Sequence, residues 1–194
     1  LELLSVLDRK CLVILIIIQT LTAMKMSVLN KLLEQRAYTD AHTGLPNKGA
    51  CEVLLKNKET VEKHTACIMF DLNNLKIIND TKGHSKGDQL ILNFARFLRN
   101  IIPKEAFVGR YGGDEFMVVI YNTSKTEIED ILKQLSREKD RLNSRGNDMP
   151  IDYACGWAIS DADGECTIQM LLDKADYYMY ENKQSRKKSM QSTK

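Results

Sequence analysis

Proline is scarce in this 194-residue chain, with three, and tryptophan occurs once. A Pro-rich linker protein is therefore excluded, and ten glycines without a period exclude a collagen-like chain. The five cysteines (Cys11, Cys51, Cys67, Cys155, Cys166) contain no C-x-x-C pair, so neither a zinc ribbon nor a redox dithiol is indicated. Their odd number and scatter point to reduced thiols in a reducing compartment. Cys67 and Cys155 sit inside apolar runs and read as buried thiols. An excess of one charge is also missing: 28 Lys and Arg face 26 Asp and Glu, a net charge of +2. That balance argues against a dedicated nucleic-acid binder, whose domain pI ordinarily exceeds about 9. No internal repeat is visible.

What is present is a chain that is 43% hydrophobic, enough to bury the core of one ordinary domain. Its first part differs from the rest. From Cys11 to Met24 there is no charge, and Leu12-Val13-Ile14-Leu15-Ile16-Ile17-Ile18 leaves no polar face. Extended to Leu29 at the cost of Lys25, the segment approaches membrane-spanning length. The reading favoured is a transmembrane helix over residues 11–29, truncated at its start. The alternatives are a dimerising stalk or a helix packed on the domain. No A-x-A-like cleavage site follows, which disfavours a secretory signal. Leu29, Leu32, Leu33 and Ala37 then form an amphipathic connector. The division expected is residues 1–35 as hydrophobic stalk, 36–188 as the main domain and 189–194 as a polar tail, frayed after Lys183. Because the chain starts with Leu, it is expected to be a piece of a longer protein.

Within the main domain, Asn47 is placed to cap a helix running to about Lys63. Thr65 to Phe70 reads as a strand buried on both faces, ending at Asp71. A weakly helical loop follows, and then a helical stripe from Asp88 to Ile102, closed by Pro103. Phe107–Tyr111 and Phe116–Tyr121 read as strands of a hairpin around Gly112-Gly113-Asp114-Glu115, with glycines where the turn needs positive φ. Glu127–Leu142 and Ile168–Glu181 read as helices around a last strand, Ile151–Ile159. The order is β-α-β-β-α-β with extra helices, so the fold class expected is α+β. It has a ferredoxin-like core of antiparallel-containing sheet flanked by helices.

In such a sheet the first strand neighbours the central hairpin, so Asp71, Asp114 and Glu115 converge at one edge. Gathered carboxylates repel unless a cation neutralises them. Mg²⁺ suits the place, since it takes one or two carboxylates and leaves positions for water and phosphate. Gly112 and Gly113 expose backbone N–H groups to a phosphate. Alone, Gly-Gly-Asp is also simply a good turn sequence.

The run does not stand alone. Arg110-Tyr111-Gly112-Gly113-Asp114-Glu115-Phe116 resembles the GGDEF signature of diguanylate cyclases, which make cyclic di-GMP from two GTP. Asp40-Ala41-His42-Thr43-Gly44-Leu45-Pro46-Asn47-Lys48 resembles the family's D-x-L-T-G-L-x-N-R, with His42 and Lys48 as departures. Phe70 to Asp80, followed by Gly83-His84-Ser85-Lys86-Gly87-Asp88, resembles F-D-x-D-x-F-K-x-x-N-D and G-H-x-x-G-D. Asn73 and Leu75 depart from its Asp and Phe. Ala175-Asp176-Tyr177-Tyr178-Met179-Tyr180 with Lys183 resembles A-D-x-A-M-Y-x-A-K. There are four ordered blocks, and the resemblance extends across roughly residues 36–188.

The resemblance implies that Asp71, Asp114 and Glu115, helped by the Leu72 carbonyl, bind two Mg²⁺ per active site, with Mn²⁺ as a substitute. Asp114 or Glu115 then takes the proton from a ribose 3′-OH attacking the α-phosphorus of the other GTP. Asn79 and Asp88 are implied in reading guanine, with His84 nearby. Asp88 also reads as a helix N-cap, and His84 as a loop-packing residue. Lys76 and Lys183 are implied as charges facing the triphosphate, while Lys187 stands where the family has Arg and loses bidentate geometry. Pro103-Lys104-Glu105-Ala106 lacks the R-x-x-D of product-inhibited members, so tight feedback there is not expected. The product's two-fold symmetry implies a homodimer, and the family implies an upstream sensor. It also implies a cytoplasmic catalytic domain, tethered to the bacterial inner membrane if residues 11–29 cross it. The alternative is a GTP-binding signalling module without turnover.

Overall fold

The computed structural model describes residues 2–56, 61, 64–146, 148–160 and 166–191, with side chains between 9 and 185. The chain divides into two units, Leu1–Tyr38 and Thr39–Lys194. The first is one helix, α1 (Glu2–Tyr38). No Gly or Pro interrupts it, so the apolar segment and the amphipathic connector run on as a single rod of about 55 Å. Its residues Arg9–Tyr38 are long and apolar enough to cross a membrane, by length and composition. The side chains Leu12 to Ile18 are all exposed.

The second unit contains α2 (Lys48–Lys56), β1 (Ala66–Leu72), α3 (Leu75–Lys82), α4 (His84–Ile101) and β2 (Phe107–Arg110). It continues with β3 (Glu115–Ile120), α5 (Lys125–Asn143), β4 (Tyr153–Ile159) and α6 (Ile168–Gln191). The strands form one sheet in the order β2-β3-β1-β4, with every neighbouring pair antiparallel. This is the α+β, ferredoxin-like arrangement expected from the element order.

The two faces of the sheet follow from alternation along the strands. Ile68 and Phe70 of β1, Phe116 and Val118 of β3 and Tyr153 of β4 pack with Phe94, Leu98 and Leu135 of α4 and α5. Edge-to-face ring contacts of 5.0 to 6.1 Å join Phe70, Phe94, Phe116 and Tyr153. Cys67 and Met69, Met117 and Val119, and Ala154 and Ala158 face the other way, against α2 and α6. Burial pushes the Cys67 thiol up to about 12, which leaves it protonated and unreactive. Cys155 is half-buried rather than buried.

Several boundaries differ from the sequence reading, four of them for a visible physical reason. Strand β1 continues through Asp71 and Leu72, because its hydrogen-bonded register with β4 extends to Tyr153. Helix α4 begins at His84 rather than Asp88, since Gly83 at φ 85° ends α3 and lets the chain restart at once. The helix after Asn47 does not reach Lys63: Val61 already donates its N–H to the Cys166 carbonyl at 2.7 Å. Helix α6 does not fray after Lys183 but continues to Gln191, through Gln, Arg, Lys and Met, all good helix formers.

Gly156 explains how α6 comes so close to β4. A Cβ there would overlap the backbone nitrogen of Met179 and the carbonyl oxygen of Ala175. Backbone cannot step aside as a side-chain tip can. Gly156→Ala is therefore expected to lower the unfolding free energy by about 1–3 kcal/mol. Urea titration would show this as a lower midpoint at unchanged slope.

Candidate active site

The apolar stripes on the α6 face each end in a carboxylate. On β1 the stripe is Cys67, Met69, Asp71; on β3 it is Val119, Met117, Glu115. The antiparallel register sets Asp71 directly opposite Glu115, which brings their α-carbons to about 4.5–5.5 Å. Asp71 is buried and Glu115 half-buried. Burial, and then the negative charges of Asp114, Asp71 and Asp176, push the Glu115 carboxyl above the usual carboxylate range. The nearby Lys183 only partly offsets this. From α6, Lys183 Nζ donates to Asp71 Oδ2 at 2.7 Å.

Asp114 is fixed through its backbone, where its carbonyl accepts from the Leu72 N–H at 2.9 Å. The N–H groups of Tyr111 and Gly112 both donate to the Glu115 carbonyl, at 2.8 and 3.1 Å. One expectation is corrected here. Neither Gly112 nor Gly113 has positive φ; a Cβ at Gly112 would stand 2.5 Å from the tip of the Glu115 side chain, Oε2. The Gly112 N–H also closes the hairpin.

Arg110 holds this loop from the side. Its Nε and Nη2 donate to the Gly113 carbonyl at 3.3 and 2.9 Å. Its Nη1 donates to both carboxylate oxygens of Asp40, at 3.2 and 3.1 Å. Asp40 also accepts from the N–H and the hydroxyl of Thr43, at 2.8 and 2.6 Å. Burial works to raise the Asp40 carboxyl, but the two Thr43 bonds and the Arg110 charge outweigh it and hold it low. Sequence reasoning assigned Asp40 and Arg110 no part; the available signal was Thr three residues after Asp, an Asx-type turn. It also missed Asp176, one of the three carboxylates that raise Glu115. Asp176 and Lys183 are seven residues apart on α6 and so share a face.

The β1–α3 turn explains one departure from the family pattern. Asn73 Nδ2 donates to Asp152 Oδ2 at 2.9 Å, and the Asn73 N–H to the Asp152 carbonyl at 2.9 Å. An Asp at 73 would set two carboxylates against each other. Beyond the turn, Lys76 is exposed on the first turn of α3. Asn79 follows, its side chain lying against Gly87 where any Cβ would overlap it. His84 opens α4 and is exposed, so it is not packed into the loop. Asp88 is exposed on the second turn of α4. It is not the N-cap, a position held by Gly83. The Lys187 side chain lies outside the described residues.

The structure thus brings Asp71, Leu72, Asp114, Glu115 and Lys183 together, and sets Asn79 against the α4 turn that carries His84 and Asp88. Among the described residues, no three Asp, Glu, His or Cys side chains form a metal cage. The expected convergence of three carboxylates is instead a facing pair with Asp114 alongside. The pair still fits a hard divalent cation, which needs only one or two carboxylates, and Asp71 already holds a cationic group, the Lys183 ammonium. A wide cavity of about 1260 Å³ between α4 and α5, lined by Ile120, Glu127 and Glu138, lies at the other end of β3 from Glu115 and is a separate feature.

The antiparallel α+β sheet carries acidic groups at one end, as the resemblance implied. The family model of the diguanylate cyclase GGDEF domain matches residues 37–189. The chain belongs to the GGDEF-domain family. It is 31% identical over 170 residues to diguanylate cyclase DgcP of Escherichia coli, covering 82% of this chain and 48% of that protein. It is 31% identical over 147 residues to the cyclic di-GMP phosphodiesterase PdeB of Shewanella oneidensis, covering 74% and 17%. The crystal structure of a sensory box/GGDEF family protein from Caulobacter crescentus superposes with a TM-score of 0.63 at 28% identity, covering 76% and 99%. The chain spans less than half the length of these two curated relatives.

A carboxyl raised by burial and like charge binds its proton more tightly in the folded than in the unfolded chain. Ionised Glu115 therefore opposes folding above the carboxylate range, and this cost disappears on protonation. Glu115→Gln is expected to melt higher than the wild type at pH 8, with the margin closing as the pH falls toward 4. Melting curves across that range check it; a lower melting temperature at pH 8 would contradict the assignment.

Proposed function

We propose that the chain condenses two GTP into cyclic di-GMP with release of two pyrophosphates. The observation that carries this is the buried Asp71 facing Glu115 across the β1–β3 ladder, with Lys183 in contact. Asp71, Glu115, Asp114 and the Leu72 carbonyl would hold the divalent cations, Mg²⁺ or in its place Mn²⁺. When bound, these would neutralise the triphosphate and favour departure of pyrophosphate.

The protein's own groups do the rest. Lys183, and Lys76 from the start of α3, supply positive charge to the phosphates. Asp88 accepts from guanine N1–H and the 2-amino group, with Asn79 beside it. Adenine offers no such donor pair, so the same pose would leave the Asp88 carboxylate without these bonds. Asp114 or Glu115 accepts the proton of the attacking 3′-OH as the new O–P bond forms and the bond to pyrophosphate breaks. A carboxylate whose proton affinity is raised, as at Glu115, is the better base at neutral pH.

One site holds one GTP, so a two-fold symmetric product needs two domains face to face, and holding them so is a proximity effect. Helix α1 supplies a means of pairing protomers, whether as a stalk or as a membrane anchor for a cytoplasmic catalytic domain.

The full chain incubated with GTP, ATP and Mg²⁺ is expected to yield cyclic di-GMP by mass spectrometry, with two pyrophosphates per product and no adenine-containing dinucleotide. Asp114→Asn is expected to cut turnover about 10²–10⁴-fold without any loss of melting temperature. Recovery of intact GTP from a chain that binds it would refute the catalytic reading and leave a binding module.

A further inference from the structure

The turn of α4 that carries His84 and Asp88 has little local restraint. Its N-cap is Gly83, at φ 85°, with no side-chain capping bond, and Gly87 lies within it. Glycine leaves backbone freedom that a side chain would remove. Besides the backbone bonds at Gly83 and the Asn79 side chain against Gly87, restraint comes from the loop between α1 and α2. His42 Nε2 stands 2.8 Å from the Asp88 carbonyl oxygen. A carbonyl only accepts, so Nε2 carries the proton and donates. About three turns further along α4, Arg99 Nη2 donates to the Gly44 carbonyl at 2.9 Å.

The loop itself is stiff. The Asp40 N–H donates to the Leu45 carbonyl at 2.7 Å, and the Gly44 N–H to the Asp40 carbonyl at 2.8 Å. The same loop holds the carboxylate hairpin, through the Asp40–Arg110 pair and through the Arg110 N–H, which donates to the Pro46 carbonyl at 2.8 Å. It is a strut with one end on the hairpin of Asp114 and Glu115 and the other on the turn of Asp88.

We propose that His42 is a specificity-determining positioning residue. Its hydrogen bond to the Asp88 carbonyl fixes the α4 turn from which the Asp88 carboxylate meets the guanine edge, with Asn79 against Gly87 of the same turn. This rests on the reading of Asp88 given above. Leu, the residue of the family pattern at this position, cannot donate; Gln can.

The test is calorimetric titration of the full chain with the α,β-methylene analogues of GTP and ITP, from which pyrophosphate cannot leave. ITP lacks the 2-amino group, so the ratio of the two affinities reports how well Asp88 is aimed. His42→Leu is expected to weaken the GTP analogue about 3- to 10-fold, as for one hydrogen bond, and to weaken the ITP analogue less. His42→Gln restores the wild-type ratio. Equal weakening of both analogues, no weakening, or a His42→Gln chain that behaves like His42→Leu would overturn the role of His42. Asp88→Ala is the separate control on the underlying reading: it should erase the preference for the GTP analogue, and a preference that survives it would refute guanine reading by Asp88 whatever His42 does.

Discussion

Two carboxylates that repel each other are held side by side by a ladder of backbone hydrogen bonds. Asp71 and Glu115 cannot separate without slipping the β1–β3 register, and a one-residue slip would turn Met69 or Met117, with its strand, to the wrong face of the sheet. The sheet and its apolar core therefore impose a local concentration of negative charge. At an effective dielectric near 20, unit charges 5 Å apart repel by about 3 kcal/mol. Lys183 relieves part of this, and its reach to Asp71 depends on α6 lying flush on Gly156. A site built this way has an electrostatic demand for cations, which a divalent metal ion would meet more fully than one ammonium does.

The rest of the second unit serves to place groups around that pair. The hairpin is locked by the Leu72–Asp114 backbone bond within the sheet and by Arg110 from outside it. The groups proposed to read guanine ride on α3, which begins at Leu75, and on α4, which follows it directly from His84. Asn73, tied to Asp152 by side chain and backbone, sets the direction in which α3 leaves the strand. In the proposed reading, acid–base chemistry comes from the β2–β3 hairpin, phosphate charge from α3 and α6, and base reading from α3 and α4.

Much of this could be read from the residues. The apolar run ending at Asp71, the stripe from Leu90 to Leu98 and the glycine pair between two short strands implied the sheet and the meeting of Asp71 with the hairpin. What escaped had no periodic signature. The role of Gly156 depends on how near α6 approaches, which is a tertiary fact. Gly112 looked like a turn former, whereas it makes room for the Glu115 side chain. Asp88 looked like a cap because the apolar stripe starts just after it, but the polar turn His84–Gly87 is helical too and Gly83 takes the capping position. Asp40, Arg110 and His42 act through partners 46 to 70 residues away, and no local pattern shows such pairings.

The central claim is that the Asp71–Glu115 pair is a cation site completed by the nucleotide. Anomalous diffraction from crystals grown with Mn²⁺ and the α,β-methylene analogue of GTP tests it most directly. The account predicts manganese at about 2.0–2.2 Å from an Asp71 carboxylate oxygen, close to the distance of Mg²⁺, with the Lys183 ammonium moved from Asp71 to the phosphates. Manganese bound elsewhere, with the Lys183–Asp71 contact still in place beside the bound nucleotide, would contradict it.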